Sequence, residues 1–104
     1  MILYNITWVT EPTLEAALID YLGATFVPAV LADGCMHSPA LHRIEREAAE
    51  GEGVSLALHF LAEEATSAAV YWSGTGSEHI AKLIAKFGNN RVMGFATTMT
   101  RIAF

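Results

Sequence analysis

The stretch Ala40–Leu61, ALHRIEREAAEGEGVSLALHFL, decides the fold. Its opening half alternates, with Leu41, Arg43 and Glu45 on one side and His42, Ile44 and Arg46 on the other. Its closing half alternates again, Val54, Leu56, Leu58 and Phe60 against Ser55, Ala57, His59 and Leu61. A period of two is the mark of a half-buried strand. The acidic, glycine-containing run Glu47–Gly53 between them reads as a solvent-exposed hairpin loop. The stretch therefore predicts two adjacent strands, 40–46 and 54–61, with nothing helical between them.

Outward from this hairpin, each side shows first a helix and then a strand. Toward the N-terminus, Thr13–Ala32 carries Leu14, Leu18, Tyr21, Leu22 and Thr25 at helical spacing. Thr13 is placed to cap it, Glu11 and Glu15 suit its positive end, and Gly34 suits a left-handed C-terminal cap. Pro28 has no N–H for the Ala24 carbonyl, which predicts a kink or break. Before it, Ile2–Val9 sets Ile2, Tyr4, Ile6 and Trp8 on one face and Leu3, Asn5, Thr7 and Val9 on the other. Toward the C-terminus, Glu63–Phe87 is helical with an interruption at Ser73-Gly74-Thr75-Gly76-Ser77, where Thr75 and Glu78 have capping-box spacing for a restart. Ile80, Leu83, Ile84 and Phe87 give a clean stripe before Gly88-Asn89-Asn90 ends the helix. Val92–Ile102 closes as a strand, Met93, Phe95 and Met99 against Gly94, Ala96, Thr98 and Thr100. The order strand, helix, strand, strand, helix, strand is the ferredoxin-like split βαβ plan, an α+β class. Right-handed crossovers give one domain over residues 1–104, an antiparallel sheet in order 4-1-3-2 with two helices on one face.

Composition narrows the function. Charged residues make up 16% of the chain, against about 25% in an average domain. The surplus apolar surface points to a homodimer. Net charge is −5 and no Lys or Arg precedes Arg43, so the clustered cations that nucleic acids or anionic membranes require are missing. The third strand also lacks the Lys/Arg-Gly-aromatic run of RNA-binding domains of this plan. With one cysteine, Cys35, no basic leader and no long apolar run at the start, a cytoplasmic protein without a membrane span is expected.

The sheet face opposite the helices is left uncovered. Its central strands offer Asn5, Thr7, Ser55, Ala57 and His59, with Leu41 and Arg43 expected at one edge. Asn5, Thr7 and Ser55 can orient a carbonyl or hydroxyl, Arg43 can grip a carboxylate or phosphate, and His59 can move protons near neutral pH. The plainer reading is that a half-buried face simply alternates apolar and polar residues. Metal ligation is not expected: Cys35-x-His37 is too tightly spaced for a zinc half-site, and no second half exists among the other histidines, His42, His59 and His79. His42 reads as a hydrogen-bonded, semi-core residue. The Ser73–Ser77 run lacks the lysine of a phosphate loop and reads as a helix break, with Tyr71 and Trp72 beside it as packing residues.

Three runs together resemble a known family: Met1-Ile2-Leu3-Tyr4-Asn5-Ile6-Thr7, then Phe26-Val27-Pro28-Ala29-Val30-Leu31-Ala32-Asp33-Gly34, then Lys86-Phe87-Gly88. With Leu41-His42-Arg43-Ile44 they are similar to the DUF4286 family of uncharacterised bacterial proteins, across nearly the whole chain. The resemblance implies a ferredoxin-like domain of the dimeric α/β-barrel type, in which two sheets pack through their open faces around a pocket. Family members often carry His two residues before the helix proline. Phe26 stands there in this chain, so chemistry that depends on that imidazole is not carried over. Three classes of function remain: a small-ligand-binding or interaction module, a cofactor-free enzyme of oxygenase or isomerase type, and a purely structural subunit.

Overall fold

The computed structural model describes residues 1–45, 53–88 and 90–104. Four strands, β1 (Ile2–Thr10), β2 (His37–Arg43), β3 (Val54–Ala62) and β4 (Val92–Thr100), form one antiparallel sheet in the order β2-β3-β1-β4. That is the expected 4-1-3-2 arrangement read from the other edge. Three helices cover one face: α1 (Pro12–Ala32), α2 (Ala65–Ser73) and α3 (Thr75–Phe87). The second helical region is thus two helices, broken at Gly74. With one layer of helices on one layer of strands, the molecule is only 19 Å thick.

Alternation in the central strands does what the pattern implies. Ile2, Tyr4, Ile6 and Trp8 of β1 and Leu56, Leu58 and Phe60 of β3 are buried beneath the helices. From α1, Leu18, Leu22, Phe26 and Val30 come down onto them, each almost fully withdrawn from solvent. A spacing of four drifts by roughly 40° per step on an ideal α-helix. α1 holds the stripe in line because Leu22–Phe26 winds as a π-turn, with the Val27 N–H bonded to the Leu22 carbonyl. This turn lies directly ahead of Pro28, so the proline's missing donor is absorbed by a change of winding rather than a break. It also puts Phe26, not the predicted Thr25, in the core; Thr25 is exposed. Length and apolarity alone would let α1 cross a membrane, but here its stripe is core.

The core is aromatic. Trp72 stacks on Tyr4 at 4.5 Å and meets Phe60 and Tyr71, while Trp8 meets Phe26 edge-on at 5.8 Å. Tyr71 and Trp72 are packing residues, as expected. Gly76 explains the break beside them: a Cβ there would lie 2.6 Å from the Trp72 ring and 2.9 Å from Tyr71. Neither expected capping side chain forms a cap. The Thr13 hydroxyl donates to Glu11 Oε1, and α3 starts without a side-chain cap bond. Gly34 does close α1, at φ +82°.

β2 begins three residues earlier than predicted and ends at Arg43. A bulge between His37 and Ala40 accommodates Pro39, which an edge strand tolerates because one of its sides needs no donor. Of the predicted extension to Arg46, Ile44 and Glu45 are not strand, although the Ile44 N–H still donates to the Ser55 carbonyl at 2.9 Å. Arg46, the hairpin loop predicted over 47–53 apart from Gly53, and Asn89 of the run expected to end the last helix lie outside the described residues.

Candidate functional site

The open face is a grid set by strand register. Asn5 lies opposite His59 on one side and Thr97 on the other. In the next row Thr7 lies between Ala57 and Phe95, and His42 of β2 lies beside Ala57. His42, His59, Asn5, Thr7 and Thr97 therefore form a polar band across the sheet. Asn5 Nδ2 donates to Thr7 Oγ1 at 2.9 Å, which leaves the Asn5 carbonyl oxygen and the Thr7 hydroxyl proton for another partner. The rings of His42 and His59 stack at 5.4 Å, inclined by 5°. His59 Nδ1 is buried with no hydrogen-bond partner among the described residues. Apolar rows flank the band: Leu61, Leu3 and Met99 at one end, Val9 and Met93 at the other. At the first end, Leu3, Leu61, Met99, Thr100 and Arg101 line a hollow of about 380 Å³, within the range of roughly 300–1,000 Å³ typical of small-molecule sites.

Of the residues expected here, the structure brings Asn5, Thr7 and His59 together. Ser55 shares their face one row away, opposite Val9, and is buried. Arg43 is a correction. It pairs with Leu56 and Leu41 pairs with Leu58, so both point to the helical side. A shift of one residue in a strand sends every side chain to the other face. Arg43 donates from Nε and Nη2 to Glu15 of α1 at 3.1 and 3.0 Å, and that carboxylate holds the guanidinium above its ordinary pKa. Its fork is spent on tying β2 to α1. His42 is a second correction: it is exposed beside His59, because no element among the described residues covers this face. Thr97 and Arg101 were missed, since which side chains of a last strand sit beside His59 depends on register.

A separate polar cluster sits on the helical side. Asp33 Oδ2, just past the end of α1, accepts from Tyr71 Oη at 2.7 Å and pairs with His79 Nε2 at 2.8 Å. The Tyr71 bond, then the His79 bond, holds the Asp33 carboxyl below its usual range. Burial, then Asp33, pushes the Tyr71 phenol well above its ordinary value. One carboxylate thus fastens the ends of three helices. Nothing in the sequence marks it, because the partners stand 38 and 46 residues away. His79 also borders a cavity of about 120 Å³ with Tyr21, Thr25 and Lys82. Among the described residues no three His, Cys, Asp or Glu side chains gather as metal ligands would.

Residues 1–102 match the family described as a domain of unknown function, DUF4286. The chain belongs to that family. No curated protein matches the sequence. Among solved structures, the fold is similar to an ethyl tert-butyl ether d (ethd) family protein from Bacillus halodurans c-125, with a TM-score of 0.60 at 13% identity, covering 93% of this chain and 97% of that one. It is also similar to Rv0793 from Mycobacterium tuberculosis, with a TM-score of 0.57 at 20% identity, covering 100% and 98%. A de novo designed protein, Foldit4, shares the fold at a TM-score of 0.52 and 10% identity, covering 97% and 98%. At these identities the likeness is one of fold, and DUF4286 membership carries no assigned activity.

Proposed function

We propose that this DUF4286 domain is a cytoplasmic small-ligand-binding module that works as a homodimer of the α/β-barrel type, its open sheet faces meeting around a pocket. The observation that carries the reading is the bare face itself, a polar band of His59, Asn5, Thr7 and Thr97 ringed by Leu3, Leu61, Met93, Phe95 and Met99. Met93, Phe95 and Met99 are 52%, 51% and 44% exposed in the single chain. The chain exposes 6317 Å², against about 5,700 Å² for a monomer of its mass. That surplus approaches the roughly 800 Å² each partner contributes to a stable interface.

The chemistry of the pocket suggests its ligand: a small, largely apolar molecule with a carboxylate at one end and a carbonyl or hydroxyl at the other. The apolar rows take the body, the Arg101 guanidinium beside the hollow takes the acid, and the Asn5–Thr7 pair with His59 orients the polar end. Short aliphatic and aromatic carboxylic acids should raise the melting temperature of the wild type. Arg101→Gln and His59→Gln should abolish the shift while Arg43→Gln keeps it. A shift that survives both of the first two substitutions, or no shift with any acid, overturns the ligand reading. Leu61→Glu should halve the mass measured by light scattering, and an unchanged mass overturns the face contact.

A second reading is favoured by one atom. The buried Nδ1 of His59, without a partner among the described residues, is what a general base in a cofactor-free oxygenase or isomerase would offer. If ligand turnover is found and His59→Gln retains binding but loses turnover, the enzyme replaces the binding module. A face that excludes every ligand yet still dimerises leaves a structural subunit.

A further inference from the structure

The two edges of the sheet are unlike. β2 is blunted: a bulge interrupts it, Pro39 removes a donor, Ser38 sits at φ +54°, and Arg43 brings a charge. Those are the devices by which natural sheets prevent edge-to-edge pairing. β4 has none of them. Its nine residues, VMGFATTMT, contain no charge and no proline, and every one after Val92 is exposed.

The direction of its free hydrogen-bonding groups follows from one bond. Arg101 N–H donates to the Met1 carbonyl at 3.0 Å, and these two residues extend the Ile2–Thr100 pairing by one step. Bonded pairs alternate along an antiparallel ladder. Met99, Thr97, Phe95 and Met93 therefore spend their backbone groups on β1, and Gly94, Ala96, Thr98 and Thr100 direct theirs to the bare edge, together with the Val92 carbonyl; the Val92 N–H donates instead to the Gly88 carbonyl at 3.4 Å.

We propose that β4 pairs antiparallel with β4 of a second copy about a two-fold axis at Ala96, joining two sheets into one of eight strands. This contact is separate from the open-face contact proposed above. A two-fold at Ala96 is the symmetric register that uses the whole strand. It sets Ala96 against Ala96 of the partner subunit, Gly94 against the partner's Thr98, and Val92 against the partner's Thr100. Apart from the Val92 N–H, which Gly88 holds, the N–H and C=O groups of these residues face outward, so the ladder gains about eight main-chain bonds. On the open face the same register sets Met93 against the partner's Met99 and Phe95 against the partner's Thr97, an aromatic against a β-branched residue as cross-strand pairs favour. A second copy fits where a charged or proline-bearing edge such as β2 does not. Ile102, 71% exposed just beyond β4, extends the strip. With both contacts in place the assembly closes at four chains, two eight-stranded sheets face to face.

Amide exchange at residue resolution tests the register directly. Gly94, Ala96 and Thr98 should be protected in the wild type as strongly as Phe95 and Thr97, and should lose protection in Ala96→Lys, which sets like charges opposite each other at the axis. If the three amides exchange at free-edge rates while Phe95 and Thr97 are protected, the pairing is wrong. Light scattering separates the two contacts. The wild type should weigh four times the 11.2 kDa chain. Ala96→Lys or Ala96→Pro should each leave two chains held by the face, Leu61→Glu two held by the edge, and the double substitution one. An unchanged mass in both Ala96 variants overturns the edge pairing; an unchanged mass in Leu61→Glu overturns only the face contact.

Discussion

On one face of the sheet Ile6, Trp8, Leu56, Leu58 and Phe60 are almost completely withdrawn from solvent, while Asn5, Thr7, Ala57 and His59, alternating with them along the same two strands, are half-exposed. The covered face is closed by three helices of the same chain and filled by interlocking rings. The open face presents a polar band between apolar rows, in which His59 Nδ1 has no hydrogen-bond partner among the described residues. The first is a folding device, and the second has the composition of a surface meant for something else. The core lies on one side of the sheet, and the proposed recognition surface lies on the other.

Substitution along β1 gives the sharpest way to break that comparison. Trp8→Ala removes a fully buried ring and should cost about 3–5 kcal/mol, read by urea unfolding. Asn5→Ala, three residues away on the other face, should stay within about 0.5 kcal/mol at low protein concentration. If Asn5→Ala costs as much as Trp8→Ala, the division of labour between the faces is wrong. The next largest effect sharpens the covered side. Gly76→Ala forces a methyl against the Trp72 and Tyr71 rings, and such overpacking should cost about 1–3 kcal/mol. A neutral result would mean that the break at Gly74 does not depend on this close approach.

The smallest effect concerns the polar fastening on the helical side. Asp33 is held below its ordinary pKa by Tyr71 and His79, so its contribution is complete above about pH 4 and is lost as pH falls through the lowered value. Tyr71 is shifted the other way, so its contribution is complete below about pH 10 and is lost as pH rises beyond it. Tyr71→Phe should therefore lower the melting temperature by a few degrees at pH 7, by less at pH 3, and should flatten the alkaline limb. The same loss at every pH would show that the hydroxyl acts without Asp33.

Much of this was legible in the chain. Alternation over Ile2–Val9 and Val54–Leu61 settled which residues enter the core, because side-chain direction in a strand is a local property with a period of two. The strand-strand hairpin between two helices settled topology for the same kind of reason: connections are short and crossovers have one hand. Asn5, Thr7 and His59 could be placed on a common face on those grounds. What the sequence could not supply depended on registers and on partners far apart along the chain. The bulge at Pro39 turned Arg43 toward Glu15 and left His42 in the open. The π-turn ahead of Pro28 exchanged Thr25 for Phe26 in the core. Tyr71, His79 and Asp33 met only once three helices had packed, and Thr97 and Arg101 reached the open face only through the pairing of β4 with β1. Local dihedral preference and hydrophobic periodicity act within a few residues and can be read from the chain. A one-residue slip or a contact across 46 positions is decided by packing, and packing exists only in the folded molecule.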